Sequence, residues 1–191
     1  MTTALLKDPK VAILLAAGFE EVEALTPYDL LYRTGVSCEL VAIGDRRGVV
    51  SSHQVEIVSH AVLGERDLND YDMIILPGGM PGTTHLKANP TVRDAVTSFI
   101  QAGKHVAAIC AAPSILAELG LLEGIQATSN PGFHQVLTEH GAQLLDEPVV
   151  CDGVIITSQG AGTAMEFGLK IVEVCAGSEA VETVKKGVVL V

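Results

Sequence analysis

Cys110 has the surroundings of a nucleophile. Residues 105–113 (HVAAICAAP) carry an apolar run of strand type straight into a segment that opens on Pro113. Proline is tolerated in the first helical turn, where its missing N–H has no partner to lose. The small residues flanking the cysteine permit a sharp strand–turn–helix, the geometry that lifts a nucleophile clear of a sheet. A thiol at that turn meets the positive end of a helix, which favours thiolate and predicts a depressed pKa. The competing reading is a buried cysteine of the ordinary core kind. Cys38, in a strand, and Cys175, in an amphipathic helix, fit that ordinary description. Cys151, beside Asp152 and Gly153, is expected to be partly exposed and without a catalytic setting.

Carboxylates and main-chain donors are the other two ingredients. Residues 18–23 (GFEEVE) follow an apolar strand and place three carboxylates near one sheet edge. Glu20 and Glu21 suit a helix N-terminus. Glu23, further in, is positioned to face inward, where burial raises a carboxyl's pKa and lets it donate a hydrogen bond to a thiolate. Residues 77–79 (PGG) follow another apolar strand. Glycines there permit unusual backbone angles and close approach, so the Gly79 N–H, with that of Ala111, is a candidate to hold an oxyanion, and Gly78 supports the turn. A plain tight turn is the other reading of this motif.

The elements that must position these residues alternate regularly. Strand-type runs at 11–16, 38–43, 73–76, 105–109, 126–129 and 154–157 are interleaved with helical segments at 20–33, 90–102, 112–122, 133–140 and 163–175. Residues 46–66 alternate polar and apolar and predict a small antiparallel excursion, while 181–191 forms a last packed element. Gly35 is the expected C-cap of the first helix. Continuous apolar strands separated by helices predict an α/β fold: a three-layer sandwich of the flavodoxin-like kind, with a mostly parallel sheet and helices on both faces. No linker, repeat or low-complexity segment divides 1–191, so a single domain is expected. In such sheets ligands bind at the carboxyl ends of the strands. The loops 17–23, 77–82, 110–113 and 158–163 are therefore the ones that matter.

Composition excludes several other readings. The chain has 191 residues, 48% hydrophobic and 18% charged, with net charge −11. Its 12 basic residues are thinly spread, which argues against nucleic acid as a direct partner. The apolar runs are shorter than the ~20 residues that span a bilayer. Residues 11–17, after Lys7 and Lys10, have the length of a signal core, but acidic residues follow at once and no cleavage site is convincing. No two of the four cysteines stand at CxxC spacing, so reduced thiols in a cytoplasmic protein are expected. His53, His60, His85, His105 and His140 show no ligand spacing, and no metal and no cofactor are expected.

Four segments taken together, 17–24 (AGFEEVEA), 75–79 (ILPGG), 108–113 (AICAAP) and 157–163 (TSQGAGT), resemble the ThiJ/PfpI superfamily. Within it they are most similar to the branch of the Parkinson-disease-associated deglycase (DJ-one) and bacterial YajL. The resemblance implies a homodimer with an oxidation-sensitive nucleophilic cysteine at Cys110 and a protonated partner at Glu23. It implies amide donors at Gly79 and Ala111. Asp29 and Arg33 match positions used near the dimer contact, and Asp152 also falls in place. The protease-like branch carries histidine directly after its cysteine; Ala111 stands there, so a Cys–His protease is not expected. The deglycase branch places a histidine in a Thr-Thr-His-Pro segment, where this chain has Asn130 in 128–131 (TSNP). Asn130 hydrogen-bonds but cannot carry a proton; His134, one turn on, is near enough in sequence to approach the site, though the simpler reading is a surface histidine of the helix.

The activity this resemblance implies is a glutathione-independent glyoxalase or deglycase. A cysteine nucleophile would act on a small carbonyl substrate, an α-oxoaldehyde or its glycation adduct. The alternative is a redox-sensing protective or chaperone-like protein of oxidative stress, in which Cys110 oxidises to sulfinic acid. A hydrolase or hydratase using the same elbow is a third reading.

Overall fold

A computed structural model describes residues 6–190. The chain runs β1 (Lys10–Leu15), α1 (Glu21–Thr34), β2 (Ser37–Ala42), β3 (Gly48–Val50), β4 (Glu56–Val58) and β5 (Ala61–Val62). It continues through β6 (Met73–Leu76), α2 (Gly82–Ala88), α3 (Pro90–Gln101), β7 (His105–Ile109), α4 (Pro113–Glu118), β8 (Gln126–Ala127) and α5 (His134–Glu139). The last elements are β9 (Gln143–Leu144), β10 (Val149–Asp152), β11 (Ile155–Ser158), α6 (Ala164–Ala176) and α7 (Ser178–Gly187).

Seven strands form the main sheet in the order β10-β11-β7-β6-β1-β2-β5. All neighbours are parallel except β10, which returns antiparallel along β11. The strands β2, β1, β6, β7 and β11 follow the flavodoxin-like order, with its switch point between β1 and β6. Buried on both faces, the central strands read as unbroken apolar runs, and alternate side chains supply the two cores. Leu14, Leu76, Val92, Phe99, Ile115 and Leu116 pack beneath α2 to α5. Ile13, Leu15, Ile75, Leu31, Phe167 and Ile171 pack beneath α1, α6 and α7. Each such side chain contributes roughly 1.5–3 kcal/mol relative to exposure.

The elements that hold the site match the sequence reading closely. The first helix ends at Gly35, whose φ of 77° closes an N–H bond to Tyr32 O at 3.1 Å. Residues 46–66 contain the expected antiparallel excursion, β3 on β4, but β5 goes on to join the main sheet beside β2. Three expectations are corrected. Helix α2 was not foreseen, because its seven residues bury only one large apolar side chain, Leu86. The helix expected over 112–122 stops at Glu118, and Gly120 follows with φ 72°. Of the strand expected over 126–129 only β8 forms, paired with β9 outside the main sheet. The tail forms α7, with Val191 outside the described residues. Among the described residues no helix is long and apolar enough to cross a membrane.

Candidate active site

The loops after β1, β6, β7 and β11 converge at the switch-point end of the sheet, and Cys110 sits at their centre. It follows β7 directly and holds φ at 64°, in the left-handed region that a non-glycine residue occupies at a cost. Neighbours over-determine that conformation. The Cys110 N–H donates to Ser158 O at 3.0 Å, and the Asn130 N–H donates to Cys110 O at 2.9 Å. The turn that follows enters α4 through Pro113. This is the elbow expected from the sequence, and its thiol is half-buried.

Glu23 reaches the thiol from the first turn of α1. It is only 1% exposed, and its Oε2 accepts the Gly78 N–H at 2.8 Å. The same glycine's carbonyl accepts the Glu20 N–H at 2.9 Å, so Gly78 clamps the start of α1 against the end of β6. No other residue fits at 78. A Cβ would stand 2.6 Å from Glu23 Oε2, 2.6 Å from Cys110 Cβ and 2.9 Å from Ile109 O. Gly79 has φ 88° and lies against the backbone of Phe19 and Glu20.

Sulfur, carboxyl and amides form one hydrogen-bonded group. Cys110 Sγ faces the Glu23 carboxyl and the N–H groups of Ala111 and Gly79, and each of these acts on its proton affinity. Burial pushes Glu23 up to about 7, against the opposing pull of the Gly78 N–H and the thiol. Burial, the Glu23 carboxylate and its hydrogen bond push the Cys110 thiol up to about 12, and the Ala111 and Gly79 amides pull the other way. The expectation that the Cys110 pKa is depressed at this helix end is therefore corrected. Helix α4 has six residues, and burial beside a carboxylate outweighs its short dipole. The two groups resist being anionic together at such close range, so they titrate as a pair that holds two protons below about pH 7 and one above it. When Glu23 carries that proton, its charge no longer raises the thiol, and the Ala111 and Gly79 amides pull toward thiolate against the burial that remains.

Asn130 and the loop after β11 close the space in front of the sulfur. A Cβ on Gly160 would meet Asn130 Nδ2 at 3.8 Å, Glu23 Oε1 at 3.8 Å and Cys110 Sγ at 3.9 Å. These are ordinary contact distances, so three side chains face one small volume and the absence of a side chain at 160 keeps it open. Asn130 Oδ1 is occupied by the Gly132 N–H at 3.0 Å, which turns its amide nitrogen inward. His134 does not reach the thiol; its Nε2 lies 3.0 Å from Ser129 O. Asp29 and Arg33 form an exposed ion pair of 2.7 Å on α1, apart from the cysteine. Asp152 accepts the Gln126 N–H at 2.9 Å at the end of β10.

One neighbouring cluster was not visible in the sequence. Glu20, Glu21 and His53 bring three ligand-type atoms within 4.8 Å of one another. His53 Nδ1 is 3.0 Å from Glu21 Oε1, across 32 positions of sequence. Only the turn between β3 and β4 brings them together, and no local spacing signals it. The cluster lies at the positive end of α1, which opposes a cation.

A family model described as the DJ-1/PfpI family matches residues 9–174. Protein dj-1beta of Drosophila melanogaster is 36% identical over 178 residues, covering 93% of this chain and 95% of that protein. The protein named glutathione-independent glyoxalase DJ-1 of Schizosaccharomyces pombe is 34% identical over 185 residues, covering 93% of this chain and 96% of its own. Among solved structures, Drosophila melanogaster DJ-1beta superposes with a TM-score of 0.91 at 36% identity, covering 96% of this chain and 98% of that one.

Proposed function

The chain belongs to the DJ-1/PfpI family, and from that premise we propose that it is a cofactor-independent cysteine enzyme acting on α-oxoaldehydes or their adducts with amines and thiols. The observation that carries the reading is the Glu23 carboxyl, clamped by Gly78 against the Cys110 sulfur and pushed to about 7. A carboxyl that titrates near neutral pH both gives and takes protons efficiently. The relative named a glutathione-independent glyoxalase supports the substrate class.

With a free α-oxoaldehyde the steps are as follows. Cys110 sulfur attacks the aldehyde carbon, a C–S bond forms, and the thiol proton, passed through Glu23, ends on the former aldehyde oxygen as a hemithioacetal. The Gly79 and Ala111 amides stabilise that oxygen while it is negative. Glu23, now a carboxylate, removes the hydrogen from the former aldehyde carbon, the electron pair passes through an enediolate to the adjacent carbonyl oxygen, and the hydroxyl proton of the hemithioacetal passes to that oxygen as the first carbon becomes a carbonyl. Glu23 returns the proton to that neighbouring carbon, leaving a 2-hydroxyacyl thioester. Water breaks the C–S bond, sulfur recovers a proton, and a 2-hydroxy acid leaves. The net change is addition of one water, with no oxidant or reductant. Asn130 orients an oxygen by donating its amide N–H; it moves no proton, so the proton work falls on Glu23.

A homodimer is part of this proposal. The outer face of α1 carries exposed Val22 and Tyr32 beside the Asp29–Arg33 pair, which suits a surface covered by a second copy. A cytoplasmic location is supported by four cysteines that are all free. The test is turnover of methylglyoxal without glutathione, followed as lactate. The wild type is expected to form lactate and Cys110→Ser to lose at least 100-fold. Equal rates in the two proteins would end the proposal.

A further inference from the structure

His53 is 65% exposed in its side chain and has no place in the chemistry above. A continuous line of contacts nevertheless joins it to the thiol. Its Nδ1 lies 3.0 Å from Glu21 Oε1 and 3.6 Å from Glu20 Oε2. Ser52 Oγ donates to that same Glu20 oxygen at 3.3 Å, and the Ser52 N–H donates to Phe19 O at 2.8 Å, fixing the turn against the β1 loop. The Glu20 N–H then grips Gly78 O, and the Gly78 N–H grips Glu23, which bonds Cys110.

We infer that His53 is a positioning residue for the Glu23–Cys110 pair, acting through Glu20 rather than by touching the thiol or the substrate. The inference rests on the reading of Cys110 as the reactive thiol. The charged groups that face His53 are Glu21 and Glu20, and those that face Glu23 are Cys110 and Glu20. The negative charge of Glu20 helps hold the proton on Glu23. The hydrogen bond to Glu21 and the charges of Glu20 and Glu21 raise the proton affinity of His53, which favours its positive form, and that charge offsets Glu20. Removing that charge leaves Glu20 uncompensated, and the pair then gives up the first of its two protons at higher pH. Because the imidazole is exposed, salt weakens the effect.

The experiment is the pH profile of Cys110 alkylation by iodoacetamide, a neutral reagent, read at the Cys110 peptide by mass at low ionic strength. The expected His53→Gln profile moves to higher pH, giving about a two- to threefold lower rate on its rising limb. His53→Arg, which keeps a positive charge, is expected to restore the wild-type rate there. Glu20→Gln moves the profile to lower pH, and adding His53→Gln to it has little further effect. The shift shrinks in 1 M salt. Wild-type and His53→Gln profiles that superimpose, a shift undiminished in the Glu20→Gln background, or failure of arginine to rescue would each overturn the inference. If Cys110 in the wild type resists alkylation across the whole range, the functional reading beneath it is what fails.

Discussion

Replacing Glu23 by glutamine tests the buried carboxyl through stability, independently of any substrate. The side chain is 1% exposed, and burial raises its pKa from 4.5 to about 7. A carboxyl whose folded pKa lies above its unfolded value adds no cost below about pH 4.5, where both states bind the proton. As pH rises, the unfolded chain ionises freely while the folded one must keep its proton or bury a charge, so the wild type loses stability until pH reaches about 7. The shift of about 2.5 units, at 1.36 kcal/mol each, corresponds to roughly 3 kcal/mol. Glutamine keeps the shape and an oxygen for the Gly78 N–H but does not ionise. Glu23→Gln is therefore expected to gain on the wild type by about 3 kcal/mol between pH 4 and pH 8, whatever the offset between them at pH 4. Urea unfolding read by circular dichroism measures it, since the chain has no tryptophan to report by fluorescence. A gain below about 1 kcal/mol across that interval would show that burial does not hold this carboxyl neutral, and the proton-transfer role would lose its basis.

Two further substitutions probe the clamp on the pair and the opposite end of β7. Gly78→Ala pushes a methyl group into Glu23 Oε2 and Cys110 Cβ, both 2.6 Å from its position; the Gly78–Glu23 bond is expected to break, with about a tenfold or greater loss in the rate of lactate formation from methylglyoxal and about 1–3 kcal/mol of overpacking cost. Wild-type turnover in this variant would count against the clamp. His105 is 3% exposed, and neither of its ring nitrogens has a hydrogen-bond partner among the described residues. Burial lowers its pKa, so the folded state resists its protonation, and the wild type sheds stability as pH falls below the unfolded value of about 6.5. His105→Leu is expected to narrow that acid loss in urea titrations at pH 5 and pH 8, and an unchanged difference between the two pH values would refute it.

The fold was legible because the strands that build it are apolar without alternation, and such runs belong in a sheet covered on both faces. The elbow at Cys110 was legible for a local reason: strand, small residues and Pro113 are contiguous. Glu23 and the glycines at 78 and 79 were readable as parts, since a carboxylate after one strand and a bare turn after another both fall at the carboxyl ends of the sheet. Their assembly was not, because it depends on β1 and β6 lying side by side. The energetics of the thiol were misread for the same reason. A helix end is a sequence-local feature, whereas burial and a carboxylate delivered from 87 positions away are not. His53 escaped altogether, since it meets Glu20 and Glu21 only through the turn between β3 and β4. Helix α2 escaped because a short segment with one large buried apolar residue has no periodicity to detect.

The three features that define the site each oppose folding: a cysteine at φ 64°, a carboxyl buried without a counter-ion, and glycines at positions that admit no side chain. They coincide at the carboxyl ends of β1, β6 and β7, beside the switch point of the sheet. The two apolar layers carry stability elsewhere, so the site can keep its strained and partly desolvated groups. The same reasoning explains how one proton serves two acids. Glu23 alone in this burial would be a spectator that stays neutral, and Cys110 alone would be an inert thiol held far above neutral pH. Placed in contact, each makes the other's charge conditional on the proton between them, and moving that proton from sulfur to carboxylate exchanges an inert thiol for a nucleophile and a base for an acid.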